Sequence, residues 1–235
     1  MSLPQAIELG QRQGIFQRLR SMYWYGLNPS NNEGLLNTQG ATSLNLPADT
    51  LGNTTVSTYS PNDMYQFLLT QIVLMKSRMF QSGANIANRI VVASPQREFL
   101  QFEMASIVQV TSYQRPGGGT NTVAGAVQKI VEEAGDSIEW VYDDTLIGKG
   151  AGGTDMVIMT IPEVEVPTQT DPNTNIFGKL QPSTLAVNTQ YCDVDAPIKV
   201  ITPIPDGGLT QMLEMRATAG WCWRPQGVTL ISMPY

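Results

Sequence analysis

Apolar side chains recur at helical spacing from the start of the chain, and no residue after Pro4 interrupts them before Tyr25. Because a first helical turn tolerates proline, the pattern predicts one long helix over Leu3–Tyr25. One side of this helix carries small residues (Ala6, Gly10, Gly14), and the other side carries bulky ones (Leu9, Ile15, Phe16, Leu19, Met22, Tyr23). Such a helix either touches two layers, since small residues let another backbone come close, or lies on the surface with tolerated glycines.

The turn formers at 28–32 predict the end of this helix, and the short motif Gly34-Leu35-Leu36-Asn37 follows as a tight loop. Short extended pieces are predicted at 43–46 and 54–58. Ser60, Pro61 and Asp63 then form a strong helix start, with Asp63 completing a capping box. One apolar stripe marks this second long helix, which is predicted to end at Gly83: Met64, Phe67, Leu68, Ile72, Met75 and Met79.

Strands and helices alternate in the middle of the chain, which predicts an α/β or α+β layer between about Ser60 and Pro162. The predicted strands are 89–93, 107–113, 137–142 and 156–161, with helices starting at Ser94-Pro95 and Val123. After Pro162 the frequent prolines leave no room for a long helix. Short strands at 198–202, 209–218 and 228–233 are predicted instead, and this β-rich part should pack back on the first helix.

Charged residues make up only 14% of the chain, and its net charge is −6. Uncharged polar surface of this kind suits contact with neighbouring subunits, because burying it avoids the desolvation of charges. The local basic cluster (Arg12, Arg18, Arg20) shares its helix with Glu8, so nucleic-acid binding is not predicted as a main role. No apolar run reaches the about 18 residues of a membrane span, and no secretory signal opens the chain.

Catalytic or metal-binding chemistry finds little support in the residues. The chain contains no histidine, so the usual general base and metal ligand are absent. Cys192 and Cys222 are far apart and are predicted to be buried thiols in a reducing compartment. The Gly148–Gly153 loop lacks the spacing of a phosphate-binding loop and is predicted to be a flexible loop or hairpin tip.

The acidic and aromatic pairs could each form a ligand site or have only a structural role. The acidic pairs (Glu132/Glu133, Asp143/Asp144, Glu163/Glu165) could serve a glycosidase or a calcium ion, but a solvated face is favoured. The aromatic groups (Tyr23-Trp24-Tyr25 and Trp221/Trp223) could stack a sugar, although core or subunit packing is favoured. We therefore predict no catalytic, no cofactor-binding and no metal-binding residues.

The long helix, the polar turn and Gly34-Leu35-Leu36-Asn37 together resemble tailed-phage major capsid proteins with the Hong-Kong-type capsid fold, to which encapsulin-like shell proteins are related. Three later stretches are similar to the family too: residues 57–61 opening a helix, Gly152-Gly153-Thr154-Asp155 before a strand, and Arg224-Pro225 before the closing strand. The resemblance implies an α+β capsid fold, with the first helix as the spine of a peripheral domain and a mixed α/β axial domain.

Division of the chain follows from this resemblance: 1–59 as spine helix and peripheral part, 60–165 as axial α/β core, and 166–235 as the β-rich return. The implied function is that of a non-enzymatic subunit of a phage or prophage icosahedral capsid. Its partners would be other copies of itself, with portal or scaffold proteins; no strong nucleic-acid binding and no membrane are predicted. The implied location is the virion capsid, and the host cytoplasm during assembly.

Family members carry an N-terminal arm and an extended loop before the spine helix, whereas this chain begins at the helix. From that difference we expect the chain alone to form at most small oligomers rather than closed shells. Residues 115–120, with three consecutive glycines, are expected to be a mobile tip. A nanocompartment shell protein remains one alternative, and a carbohydrate-binding or hydrolase module is another.

Overall fold

The computed structural model describes residues 3–26, 28, 30, 34–81, 85–86, 89–107, 121–167, 183–187, 189–190, 198–204, 207–215 and 221–235. The helices are α1 (Leu3–Tyr25), α2 (Pro61–Gln81), α3 (Gln96–Met104) and α4 (Val123–Glu133). The first nine strands are β1 (Thr42–Asn45), β2 (Asn85–Ile86), β3 (Arg89–Ser94), β4 (Ser106–Ile107), β5 (Asn121–Thr122), β6 (Ser137–Tyr142), β7 (Asp155–Thr160), β8 (Glu163–Pro167) and β9 (Ser183–Val187). The later strands are β10 (Thr189–Gln190), β11 (Ile198–Pro203), β12 (Leu209–Glu214), β13 (Trp221–Cys222) and β14 (Val228–Met233).

The chain divides into two compact units, here named the helix unit and the sheet unit. The helix unit comprises Met1–Gln39 and Thr189–Trp223, and the sheet unit comprises Gly40–Asn188 and Arg224–Tyr235. α1 and α2 are the longest described helices, as the sequence predicts, and the α+β class is confirmed.

A five-stranded mixed sheet in the order β1-β14-β7-β3-β6 forms the centre of the sheet unit. β1 lies parallel to β14 and β3 parallel to β6, while β7 is antiparallel to both of its neighbours. All six positions of β7 and all six of β14 are buried, so both faces of these strands are shielded from solvent. Strands buried on both faces have nearly continuous apolar runs, which explains why the sequence of β7 does not alternate.

The α2 stripe predicted from the sequence is the helical side of the main core. Met64, Leu68, Ile72, Met75 and Met79 are all at most 2% exposed. They share one hydrophobic cluster with α4 and with the central strands. A buried aliphatic side chain of this size contributes roughly 1.5–3 kcal/mol, so this stripe accounts for much of the stability of the sheet unit.

The start of α2 differs in detail from the predicted capping box. The Ser60 amide donates to Asp49 at 2.8 Å instead of to Asp63. Asp63 Oδ2 accepts from the amide and the hydroxyl of Thr50, at 2.9 and 2.7 Å. The preceding loop therefore supplies the capping carboxylate, a contact that local sequence spacing could not reveal.

Residues 54–58 are not extended, which corrects that prediction. A 3-10 turn covers Val56–Thr58, and the Val56 amide donates to the Pro234 carbonyl at 2.8 Å. The β-branched residues of this stretch (Thr54, Thr55, Val56) are compatible with a strand, but the Val56 amide bonds to a carbonyl near the end of the chain instead of to a sheet edge. The mobile-tip prediction for residues 115–120 lies outside the described residues.

Two of the three predicted late strands, β11 and β12, lie near α1 inside the helix unit, as predicted; the third, β14, instead pairs with β1 and β7 in the sheet unit. β11 and β12 pair as an antiparallel hairpin, and Gln11 Nε2 donates to the Gln211 carbonyl at 3.3 Å. Leu19 and Met22 on α1 form a small buried cluster against which Met215 packs. The small strip of α1 does not contact this hairpin, since no described atom lies within 4 Å of a Cβ built on Gly10 or Gly14.

The motif after α1 caps the helix C-terminus. The amides of Leu35 and Leu36 donate to the carbonyls of Tyr23 and Trp24, at 3.0 and 2.9 Å. The side-chain amide of Asn37 donates a hydrogen bond to the Tyr25 carbonyl at 3.3 Å. The last carbonyls of a helix have no partner within the helix, so this loop satisfies groups that would otherwise require water.

Glycine is required at the first position of this motif. A Cβ on Gly34 would lie 2.2 Å from the Trp24 carbonyl oxygen, well inside any allowed contact. The Gly34 amide donates to Asn37 Oδ1 at 2.8 Å, and its carbonyl accepts from the Thr38 hydroxyl at 2.6 Å. The motif is therefore a compact capping loop whose residue types follow from its geometry.

Candidate functional site

A shallow open pocket of about 290 Å³ lies beside the start of α2 in the sheet unit. Its walls include Asp49, Asp63 and Tyr59. Burial tends to raise the pKa of Asp49, but the bonds that it accepts, first from Asn53, hold the pKa below its usual value. The backbone bond from Thr50 similarly lowers the pKa of Asp63. These carboxylates are already bonded within the loop, so the pocket offers a ligand little polar chemistry.

The acidic pairs at 132/133 and 163/165 do not form a built site. Glu132 and Glu133 are both exposed near the end of α4. Glu163 lies 3.7 Å from the guanidinium of Arg89, and the side chain of Glu165 lies outside the described part. In the described residues, no group of three acidic, cysteine or histidine side chains could hold a metal ion.

The pair at 143/144 holds local structure. Asp143 Oδ1 accepts from the amide and hydroxyl of Thr145, at 3.0 and 2.6 Å, at the start of a short 3-10 turn. Asp144 Oδ1 accepts from the Gln96 amide at 2.9 Å, where α3 begins. A carboxylate at a helix start satisfies an unpaired amide and complements the helix dipole, so both acids have structural partners.

The Gly148–Gly153 loop uses its amides internally. Gly148 donates to Asp155 Oδ1 at 3.1 Å, and Gly150 donates to the Thr154 carbonyl at 2.7 Å. Ala151 donates to the Ser232 hydroxyl at 2.9 Å. A phosphate cradle needs several amides that converge on the anion, and here these amides bond to the protein.

Of the aromatic residues, Trp24 is 6% exposed and its ring lies 4.7 Å from that of Tyr23. Trp223 is 48% exposed, while the side chain of Trp221 lies outside the described residues. Cys222 is half-buried, and Cys192 lies outside the described residues. Trp24 therefore belongs to the packing of the helix unit, as the sequence analysis favours. Across the described residues, no helix is long and apolar enough to cross a membrane.

The most unusual chemistry is a charge cluster with two buried acids at the end of the central sheet, which we name the sheet-end cluster: Arg97, Glu98, Asp155, Gly148 and Tyr235. Arg97 Nε and Nη2 donate to the two carboxylate oxygens of Asp155, both at 2.6 Å. The Arg97 guanidinium also lies 4.5 Å from the centroid of the Tyr235 ring. Glu98 and Asp155 are both 0% exposed.

The two acids of the sheet-end cluster have different environments. Asp155 accepts from Arg97 and from the Gly148 amide, which suits a carboxylate. Neither oxygen of Glu98 accepts a hydrogen bond from the described residues. Burial, followed by the charge of Asp155 and a hydrogen bond to it, raises the pKa of Glu98 to about 8. The surroundings of Glu98 therefore favour its protonated form, beside the ion pair of Arg97 and Asp155.

A raised pKa next to a carboxylate resembles the acid–base pair of a hydrolase. Catalysis also needs the groups to touch a substrate, and neither Glu98 nor Asp155 exposes any surface. The sheet-end cluster can hold and exchange a proton, but it offers no access to a substrate in this conformation.

Sequence reasoning missed the sheet-end cluster. Asp155 was noted only in the Gly-Gly-Thr-Asp stretch before a strand, and Glu98 was not singled out. The pairing arises because β7 runs antiparallel to β3, so its first residue lies where β3 ends and α3 begins. One signal was available in the sequence. Glu98 is the third residue of α3, a position from which a glutamate commonly accepts from the N-cap amide, but the N-cap residue is Pro95, which has no amide hydrogen.

Among the many exposed apolar side chains of the described residues, two groups are considered as contact surfaces, one on a hairpin and one on a helix. The hairpin face, on β11 and β12 in the helix unit, consists of Ile198, Val200 and Met212, which are 52%, 44% and 53% exposed. Val200 lies directly opposite Met212, so these side chains are adjacent. Adjacent exposed apolar groups on a soluble chain are characteristic of contact surfaces.

The α2 face, in the sheet unit, consists of Val73, Leu74 and Phe80, which are 57%, 45% and 72% exposed. Every residue of α2 is described, and none of its exposed positions carries a charge. An ordinary solvated helix has charged residues on its outer side. The absence of charge here matches the composition of the buried centre of protein interfaces.

No protein-family model and no curated protein sequence matches this chain. Among solved structures, the chain is similar to the capsid of the Myoviridae phage XM1, with a TM-score of 0.60 and 10% identity. That match covers 99% of this chain and 66% of the capsid protein. A virus-like particle from Pyrococcus furiosus gives a TM-score of 0.38 at 12% identity, covering 84% of this chain and 58% of that one. The capsid fold predicted from the sequence is therefore confirmed by the phage XM1 match.

Proposed function

We propose that this chain is a structural subunit of a bacteriophage or prophage icosahedral capsid, which acts by self-assembly and performs no catalysis. The observation that carries the proposal is the fold shared with the phage XM1 capsid over 99% of the chain. The chain spans 66% of the length of that capsid protein, so the activity and partners of a whole capsid protein belong to the proposal.

The helix unit fits the role of the peripheral domain, because it contains α1 as the spine helix. The sheet unit fits the axial domain, because it contains the mixed sheet with its helices. The proposed partners are further copies of the same chain. In a phage shell, portal and scaffold proteins are proposed as additional partners. The proposed location is the virion capsid, and the host cytoplasm while assembly proceeds.

The hairpin face and the α2 face support self-assembly. A two-stranded hairpin is marginally stable alone, and here one of its faces leaves Val200 and Met212 open to solvent. Covering such side chains gains roughly 25 cal/mol for each Å² of apolar surface removed from water. In a cyclic capsomer each subunit offers one surface to a different surface of its neighbour, so a subunit requires at least two contact surfaces.

Sedimentation velocity over a range of concentrations tests the proposal, using the chain and a Met212→Glu variant. A charge placed opposite Val200 would be buried in any contact made by the hairpin face. We expect concentration-dependent oligomers for the parent chain, and association weakened about tenfold or more for the variant.

Gln226→Glu is the matched control, because Gln226 is exposed and belongs to neither apolar face. This control should associate as the parent chain does, and circular dichroism should show all three proteins folded. A parent chain that stays monomeric at every concentration would contradict the proposal. Equal weakening by both substitutions would instead show that the hairpin face is not the contact.

The nanocompartment alternative differs from a phage capsid in what surrounds the gene. Terminase and portal genes nearby support the phage assignment, whereas a gene for a cargo enzyme would support the alternative.

A further inference from the structure

The charges of the sheet-end cluster do not balance unless one acid is neutral. Arg97 supplies one positive charge, and both of its bonded nitrogens are directed at Asp155. Glu98 lies beside this pair with no surface exposed and no donor to either oxygen among the described residues. Two ionised carboxylates and one guanidinium would leave a net negative charge on two acids that are 0% exposed, which is costly.

The titratable groups around Glu98 come from several elements. Arg97 precedes it on α3, Asp155 comes from β7, and Asp144 holds the start of the same helix through the Gln96 amide. Burial raises the pKa of Glu98 most, Asp155 raises it further, and the charge of Arg97 lowers it to a smaller extent. The neutral form of Glu98 can donate its proton to Asp155, which supplies the missing hydrogen bond.

We propose that one proton held by Glu98 and donated to Asp155 locks the end of the central sheet at neutral pH, and that mildly alkaline solution opens this end by removing the proton. The lock joins four parts of the sheet unit. Glu98 holds the first turn of α3, Asp155 holds β7, the Gly148 amide holds the preceding loop, and Arg97 holds the ring of Tyr235.

Loss of the proton would leave Glu98 and Asp155 both charged, with Arg97 as their shared cation. Their repulsion is strong because neither group reaches solvent. Because Glu98 is 0% exposed and lies in the first turn of α3, we expect hydration of its charged form to displace that turn from β7. The proposal concerns the folded chain itself and does not depend on capsid assembly.

The direction of the pH effect follows from the raised pKa of Glu98. In the unfolded chain its ordinary pKa is 4.5, and in the folded chain it is about 8. Between these values the unfolded chain has released the proton while the folded chain retains it. The contribution of this proton to the free energy of unfolding is therefore fully present below pH 4.5. It falls as the pH rises and is lost above about pH 8.

Carbon-13 NMR of the folded chain with labelled glutamate tests the lock directly. The side-chain carboxyl carbon of Glu98 should have the chemical shift of a neutral acid at about pH 7 and should titrate with a midpoint near pH 8. The Gly148 amide, which donates to Asp155, should change its chemical shift with the same midpoint.

Two variants complete the test. Glu98→Gln keeps a donor toward Asp155 but cannot ionise, so the Gly148 transition should vanish. Relative to this variant, the unfolding constant of the parent chain should rise about tenfold per pH unit across the window, as linkage of one proton requires. Glu133→Gln, at an exposed position of α4, is the control and should leave the Gly148 transition unchanged.

An ionised Glu98 at about pH 7 in the parent chain would overturn the proposal. A Gly148 transition that persists in Glu98→Gln would overturn it as well. If Glu98→Gln does not fold, the carboxyl-carbon titration of the parent chain decides alone.

Discussion

Replacing Arg97 by alanine tests how much the sheet-end cluster contributes to stability. The substitution removes both 2.6 Å bonds to Asp155 and the contact with the Tyr235 ring. The side chain of Asp155 is 1% exposed, so its carboxylate would retain only the Gly148 amide and the proton of Glu98. The main loss is therefore the cost of a buried carboxylate without its cation.

The magnitude follows from the burial of the two partners. Removing one partner of a fully buried ion pair costs about 3–5 kcal/mol. The side chain of Arg97 is 41% exposed, so solvent already screens part of its charge. We therefore expect Arg97→Ala to lower the free energy of unfolding by about 2–4 kcal/mol, including about 0.5–1 kcal/mol from the aromatic contact.

Urea unfolding at about pH 7, monitored by circular dichroism, measures this loss as a shift in the midpoint at constant slope. Arg89→Ala is the matched control, because Arg89 Nη2 also lies 2.6 Å from a carboxylate, that of Glu139. Those side chains are 45% and 51% exposed. An exposed pair of this kind contributes only about 0.2–1 kcal/mol, so equal distances should give unequal losses.

A double-mutant cycle with Asp155→Asn identifies the cause. If the uncompensated carboxylate dominates, Arg97→Ala should cost much less once Asp155 has no charge. A loss below about 1 kcal/mol for Arg97→Ala, similar to that of Arg89→Ala, would refute the reasoning, because burial would then not distinguish the pairs.

Four further substitutions probe the fold, three through urea or thermal unfolding and one through helical circular dichroism. Leu68→Ala, at 0% exposure, should cost about 2–5 kcal/mol by leaving a cavity, whereas Phe80→Ala, at 72% exposure, should leave the unfolding midpoint of the isolated chain nearly unchanged. Thr122→Ala removes the side-chain acceptor at the start of α4 and should cost about 1 kcal/mol; an unchanged midpoint would show that the cap is dispensable. Gly34→Ala would place a Cβ 2.2 Å from the Trp24 carbonyl oxygen, so helical circular dichroism should fall as the end of α1 loosens; full retention of the signal would contradict this close approach.

Local periodicity in the sequence determined the helices and most of the central strands. The bulky and small positions of Leu3–Tyr25 place α1 correctly, and the apolar stripe beginning at Met64 places α2. Ser137–Tyr142 and Val228–Met233 match their predicted bounds. These elements are predictable because a helix or strand expresses its period within a dozen neighbouring residues.

The capping motif after α1 was visible in the sequence, but its mechanism was not. Gly34-Leu35-Leu36-Asn37 served to suggest a family, and the tertiary structure shows why glycine and asparagine stand at its ends. Conversely, the predicted strand at 54–58 is a turn, because the Val56 amide bonds to Pro234 instead of to a sheet edge. Propensity allowed a strand there, and a distant partner decided otherwise.

The sheet-end cluster required the tertiary structure entirely. Arg97, Glu98 and Asp155 are charged residues that composition places on the surface, and no spacing rule joins residues from α3 and β7. Only the antiparallel register of β7 against β3 brings them together, and their burial is the main cause of the raised pKa of Glu98. Sequence fixes which groups can ionise, whereas the dielectric surroundings that set their pKa values exist only after distant segments have packed.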